Sequence, residues 1–119
     1  MRSEFELTKN ESKLFIWLAR KALEIARNIP RCERVAHGLL NEAWALVAQV
    51  NDDLGDSEDA LDLVVQLETS IESAEVMCET LPLEERRPLQ IAIAAATAVT
   101  RAFDAIDNIH CVEYLSAKR

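Results

Sequence analysis

Four glutamates in the second half of the chain are spaced so that a helix would line them up. The set comprises Glu68, Glu72, Glu75 and Glu79. Their spacing of i, i+4, i+7 and i+11 places all four carboxylates within a sector of about 60° on a helix. Like charges at such spacings repel by a few tenths of a kcal/mol per pair, so the alignment does not help the chain to fold. A row of carboxylates attracts a basic partner and raises its association rate, although a merely solvated face is an equally good interpretation.

The region around these glutamates is strongly acidic. Residues 52–81 include ten acidic side chains and no Lys or Arg, and residues 52–119 carry a net charge of −10 against +2 for residues 1–51. We therefore add four aspartates to the predicted partner-binding set, namely Asp52, Asp53, Asp56 and Asp59. The net charge of −8 for the whole chain argues against nucleic acid as the partner, because phosphate backbones are bound through Lys and Arg.

Trp17 completes the predicted partner-binding set. On a helix its neighbours are Lys13, Arg20 and Lys21, on the side opposite the apolar stripe. A tryptophan surrounded by charges is typical of an interface hot spot, and the alternative is a ring folded across its own helix under the Lys21 stem. Trp44 lies at the edge of the apolar face of the next helix, and we expect it in the core.

His37 allows a chemical interpretation and a structural one. The segment 35–40 (Val-Ala-His-Gly-Leu-Leu) resembles the surroundings of the phospho-accepting histidine in histidine phosphotransfer domains, which are small acidic four-helix bundles. That family usually has Lys three and Gly four residues after the histidine, where this chain has Leu40 and Asn41. A packed or hydrogen-bonded imidazole is therefore favoured over phosphotransfer.

The chain lacks the residues that other catalytic and metal-binding patterns require. Glu33 and His37 are four residues apart and His110 adjoins Cys111, but a di-iron bundle needs Glu-x-x-His twice among inward carboxylates. The chain has no Gly-x-Ser-x-Gly elbow, and its two glycines, at positions 38 and 55, cannot form a phosphate loop. We predict no enzyme activity, no catalytic residue, no metal and no cofactor.

The cysteines and the apolar content bear on the compartment. The three cysteines form an odd set without a CxxC spacing, namely Cys32, Cys78 and Cys111, and we expect free thiols in apolar surroundings. No uninterrupted apolar run reaches the roughly 18 residues of a membrane span, and residues 1–12 lack the apolar stretch of a secretory signal. We expect a cytoplasmic protein that does not contact a membrane.

Helices must position all of these residues. Apolar residues recur with the 3.6 period in four segments, whereas no stretch alternates for the length of a strand. The predicted helices are Thr8–Ile29, Arg31–Val50, Ser57 or Asp56 to Leu81, and Glu84 or Pro88 to Asn108. The start of the fourth depends on whether Pro88 is a first-turn residue or a break between two short helices. The tail, His110 to Arg119, could add a last turn or cover one end of the fold.

Local signals support the first and last of these helices. Thr8 and Glu11 have the spacing of a capping box, and Pro30 supplies a stop. The first helix is predicted to bury a stripe of Leu14, Leu18, Ala22, Ile25 and Ile29, widened by Phe15, Ala19 and Ala26. The second is predicted to bury a stripe that starts at Cys32. The fourth is apolar almost all round, which is typical of a central helix. The predicted fold is all-α, one domain over residues 1–119, as an antiparallel bundle of four to five helices.

The order of these elements resembles that of the small all-helical immunity proteins of bacterial toxin systems. The features in common are the apolar first helix (14–19), the second helix centred on Leu40 to Trp44, an acidic third helix and an Ala-rich fourth. The resemblance implies a cytoplasmic inhibitor that blocks a cognate, basic, nuclease-like toxin domain by binding it. The alternatives are a non-enzymatic oligomerisation or adaptor module, which would form a homodimer, and a histidine phosphotransfer domain that uses His37.

Overall fold

Four α-helices and one short 3₁₀ helix make up the described part of the chain. The computed structural model describes residues 8–53 and 58–117, and side chains within 8–51 and 59–108. The helices are α1 (Lys9–Glu24), α2 (Arg34–Asp53), α3 (Glu58–Thr80) and α4 (Arg87–Ala117), with the 3₁₀ helix at Leu83–Glu85. No strand occurs in the ranges described, and the predicted all-α bundle is confirmed.

Each helix packs beside the one that follows it in the chain. α1 and α3 both contact α2 and α4, and α2 also contacts α4. Within the described ranges α1 and α3 do not contact each other, so they occupy opposite corners of the bundle. Phe15 near the start of α1 meets Phe103 late in α4, whereas Ile25 and Ile29 lie beside Ile91. The chain directions of α1 and α4 are therefore antiparallel.

α4 has a central position, as its composition predicts, and shares it with α2, because each of these two helices contacts all three others. Ala92, Ala95 and Ala96 have no exposed surface, and their small side chains allow neighbouring helices to approach closely. The stretch Arg87–Asn108 is long and apolar enough to cross a bilayer by composition alone. Its large apolar side chains lie instead in the protein core, where they contact the other helices. The bundle buries 44% of this stretch.

The start of α1 agrees with the prediction and its end does not. The capping box is present, because the Glu11 N–H donates to Thr8 Oγ1 at 3.1 Å and the Thr8 N–H donates to Glu11 Oε1 at 2.6 Å. After Glu24 the chain tightens: the Ala26 and Arg27 N–H groups donate to carbonyls only three residues back. The helix therefore ends before the turn at Pro30 is reached, and the predicted extension to Ile29 is wrong.

The other boundaries fall close to the predicted ones, with small shifts. α2 begins and ends three residues later than expected, and α3 ends one residue before Leu81. Pro88 lies in the first turn of α4, preceded by the separate 3₁₀ turn. α4 also continues through the tail to Ala117. The predicted N-cap of α3 at Asp56 or Ser57 lies outside the described residues.

Several predicted core positions prove to be exposed. On α1 the buried side is formed by Phe15, Ala19 and Leu23, whereas Leu14 and Ile25 are exposed. The core face of α1 thus lies along the predicted edge of Phe15 and Ala19, and not along the line of Leu14 and Ile25. Trp44 is also 45% exposed instead of buried. Of the described cysteines, both free, Cys78 is buried as expected and Cys32 is exposed.

The Phe15–Phe103 contact fixes how α1 and α4 pack. The rings lie edge to face with centroids 5.4 Å apart, and both side chains are almost fully buried. We predict that Phe103→Ala lowers the free energy of unfolding by about 3–5 kcal/mol, because it opens a cavity. The control Leu83→Ala, at a side chain that is 78% exposed, should change it by less than about 0.5 kcal/mol. Urea unfolding followed by circular dichroism measures both, and a similar loss in the two variants would contradict the proposed core.

Gly38 lies inside α2 without a packing reason for glycine. A Cβ built on it meets nothing within 4 Å. Because glycine in a helix interior costs about 0.5–1 kcal/mol relative to alanine, Gly38→Ala should stabilise the protein by that amount in the same unfolding assay. A loss of stability would show that the fold requires a residue without a side chain at position 38.

Candidate functional site

The four predicted glutamates form an exposed row on α3, called here the acidic ridge (Glu68, Glu72, Glu75 and Glu79). Another side of α3 is anchored in the core by six buried side chains, Ala60, Val64, Leu67, Ile71, Ala74 and Cys78. Helical geometry places the ridge on one flank of this buried face. That flank faces α4, since Glu75 and Glu79 border a groove with Gln90 and Ile93.

The ridge carboxylates have no intramolecular ion pair in the part of the chain that the structure describes. A salt bridge joins Lys21 and Glu24 on α1, at 4.0 Å, and does not involve the ridge. The basic residues of α1 cannot reach the ridge, because α1 and α3 lie at opposite corners of the bundle. The negative charge of the ridge is thus left to the solvent or to a partner.

Arg86 offsets this charge at one end of the ridge. Its Nε donates to the Leu81 carbonyl at 2.8 Å and its Nη2 donates to the Glu79 carbonyl at 2.9 Å. A guanidinium in this position satisfies carbonyls left unpaired at a helix C-terminus and interacts favourably with the helix dipole. The ridge is therefore most strongly negative toward Glu68 and Glu72, away from Arg86. Sequence reasoning missed this residue, although a basic side chain shortly after a helix end is its usual signal.

Two exposed valines accompany the ridge. Val65 and Val76 are 62% and 66% exposed, and with Glu72 they stand at i, i+7 and i+11 on α3. The three side chains consequently follow one line along the helix. The surface thus combines carboxylates with apolar contact area.

The predicted aspartates do not all join this surface. Asp59 is exposed on α3, but it precedes Glu68 by nine residues, which is half a rotation around the helix. It therefore lies on the other flank of α3, apart from the ridge, and its role in partner binding stays a prediction. Asp52 and Asp53 end α2, with side chains outside the described set, and Asp56 lies outside the described residues altogether.

Trp17 is exposed, as expected, but it is not close to the ridge. The side chain is 58% exposed, and Lys21 Nζ lies 5.7 Å from the ring centroid, a distance suited to a cation–π contact. Trp17 belongs to α1, which does not contact α3 in the described ranges. The two predicted elements of one interface are thus on different sides of the molecule.

His37 serves as a structural connector. Its Nε2 lies 3.1 Å from the Ile29 carbonyl and 3.0 Å from the Pro30 carbonyl. Because carbonyl oxygens only accept hydrogen bonds, Nε2 must carry the proton and donate to them. This confirms the hydrogen-bonded imidazole and leaves Nε2 unsuited to attack a phosphoryl group. Among the residues described, no cluster of three or more His, Cys, Asp or Glu side chains could hold a metal ion.

Comparison of the chain with protein-family models, with curated proteins and with solved structures found no match. The acidic ridge is accordingly interpreted from its own geometry and charge.

Arg86 gives a direct test of how the end of the ridge is held. We predict that Arg86→Gln lowers the free energy of unfolding by about 1–3 kcal/mol, because charge-assisted hydrogen bonds to two carbonyls are lost. Arg87→Gln, at the neighbouring exposed position, is the control and should have an effect of less than about 0.5 kcal/mol. Chemical denaturation compares the two variants. Equal changes in the free energy of unfolding would mean that the hydrogen bonds from Arg86 to the carbonyls do not stabilise the fold.

Proposed function

We propose that this chain is a non-enzymatic binding protein whose acidic ridge holds a basic surface of another protein. The observation that carries the proposal is the exposure of four aligned carboxylates that form no ion pair with any other residue described by the structure. Their alignment costs a little folding energy through repulsion, and this cost is recovered when a cationic partner lies against them. Within this class we favour a cytoplasmic immunity protein that neutralises a basic, nuclease-like toxin domain.

The properties of the ridge suit an inhibitor that must act quickly. Carboxylates steer a cationic partner into place and raise the association rate. The exposed Val65 and Val76 beside Glu72 add apolar area, which slows dissociation once the surfaces meet. A toxin domain that binds nucleic acid through Lys and Arg would be blocked by carboxylates that occupy the same cationic groups.

The ridge variant Glu72→Lys/Glu75→Lys tests the proposal against the basic protein domain encoded by the neighbouring reading frame. We expect association to slow by at least about tenfold and its salt dependence to flatten, since steering depends on unscreened charge. Stopped-flow fluorescence at low and moderate salt measures both effects. In cells, the wild type should protect against that domain and the variant should not.

The matched control is Glu42→Lys/Asp104→Lys, which makes the same change in net charge at exposed positions on α2 and α4. This control should retain fast association and protection. If both double variants slow association equally, net charge and not the ridge is responsible. If the neighbouring frame encodes no basic domain and the chain self-associates in sedimentation experiments, the oligomerisation or adaptor alternative replaces the immunity role.

A further inference from the structure

A cleft of about 420 Å³ opens between α1 and α2, a volume within the roughly 300–1,000 Å³ range of small-molecule sites. Its walls come from α1, the turn that follows, and α2, with no residue from α3. The buried side chains of Leu23, Ala26 and Leu40 form an apolar floor. This cleft is separate from the acidic ridge and plays no part in the function proposed above.

Two arginines give the cleft a positive wall. Arg20 and Arg27 are exposed and both line it. Neither guanidinium makes a hydrogen bond or ion pair in the described part of the chain, which is notable in a protein of net charge −8. Glu24 lies between them on the same wall, and Lys21 Nζ approaches its carboxylate at 4.0 Å. Lys21 does not line the cleft, but with it the three basic and one acidic side chains of this region carry a net charge of +2.

Trp44 gives the opposite wall a flat apolar surface. The side chain is 45% exposed, in contrast to the core position that the sequence predicts, and it borders the cleft together with Asn41. An indole face is suited to stacking with a planar ring. The Asn41 amide can both donate and accept hydrogen bonds, so it could contact the polar edge of such a ring.

His37 ties two parts of the cleft lining together. The ring lines the cleft, and Nε2 is tied to the carbonyls of Ile29 and Pro30 at 3.1 and 3.0 Å. The turn that carries Arg27 is thereby attached to α2. A site whose walls are fixed in advance loses less entropy on binding.

We propose that this cleft binds a phosphate monoester joined to a planar heteroaromatic ring, the chemistry of a nucleoside monophosphate. Such a phosphate carries a charge of −1.5 to −2 at neutral pH. This charge balances the two positive guanidiniums more fully than the single negative charge of a carboxylate would. Arginine forks pair well with phosphate oxygens. The ring would stack on Trp44 above the apolar floor.

Titration with adenosine monophosphate tests the site. In Trp17→Phe the remaining tryptophan is Trp44, since the chain has two, and its fluorescence reports occupancy. We expect saturable binding of the nucleotide, with adenosine and inorganic phosphate each at least tenfold weaker. Arg20→Gln/Arg27→Gln should weaken nucleotide binding at least tenfold. The control Arg34→Gln/Arg101→Gln changes exposed arginines outside the cleft and should leave it unchanged.

A second measurement separates the ring from the phosphate. Trp44→Leu, examined by calorimetry, should remove most of the preference for the nucleotide over inorganic phosphate. Circular dichroism establishes that each variant is folded. The proposal is overturned if adenosine binds as tightly as its monophosphate, or if the control arginines matter equally. It is also overturned if a glutamate-rich peptide binds the cleft while the nucleotide does not.

Discussion

The packing of α2 and α4 against each other and against both remaining helices is the constraint on which the structure depends. On α4 the alanines at positions 92, 95 and 96 are fully buried, and their small side chains let the neighbouring backbones come close. Because α2 and α4 share the middle of the bundle, α1 and α3 each pack against both of them and keep their remaining surface exposed. The acidic ridge and the α1–α2 cleft both lie on surface left over by this arrangement.

The two connections described in full, between α1 and α2 and between α3 and α4, are fastened in the same chemical way. In the first, His37 donates to the carbonyls of residues 29 and 30. In the second, Arg86 donates to the carbonyls of residues 79 and 81. Both turns lie at one end of the bundle, where Ile29 and Pro30 face Pro88 and Ile91. In both turns a polar or cationic side chain thus donates to backbone carbonyls that would otherwise lack a hydrogen-bond partner.

Features determined by neighbouring residues could be predicted from the sequence, whereas those set by packing could not. The capping box at Thr8, the span of α3 and the central position of α4 follow from local chemistry and from the apolar period. The end of α1 and the exposure of Trp44 depend on how a turn tightens and how far α2 rotates, which no single segment determines. The same holds for the site. Spacing predicted the alignment of the ridge, but only the topology reveals that Trp17 lies apart from it.

The separation of α1 from α3 also gives the molecule an uneven charge distribution. α1 (Lys9–Glu24) carries a net charge of +2 and α3 (Glu58–Thr80) a net charge of −7, and the bundle places these two helices across from one another. A molecule with unlike charges on two sides has an electric dipole. Near a charged partner it experiences a torque in addition to the net electrostatic attraction. It therefore rotates as it diffuses inward, and a larger share of its first collisions with a cationic surface occurs in the correct orientation.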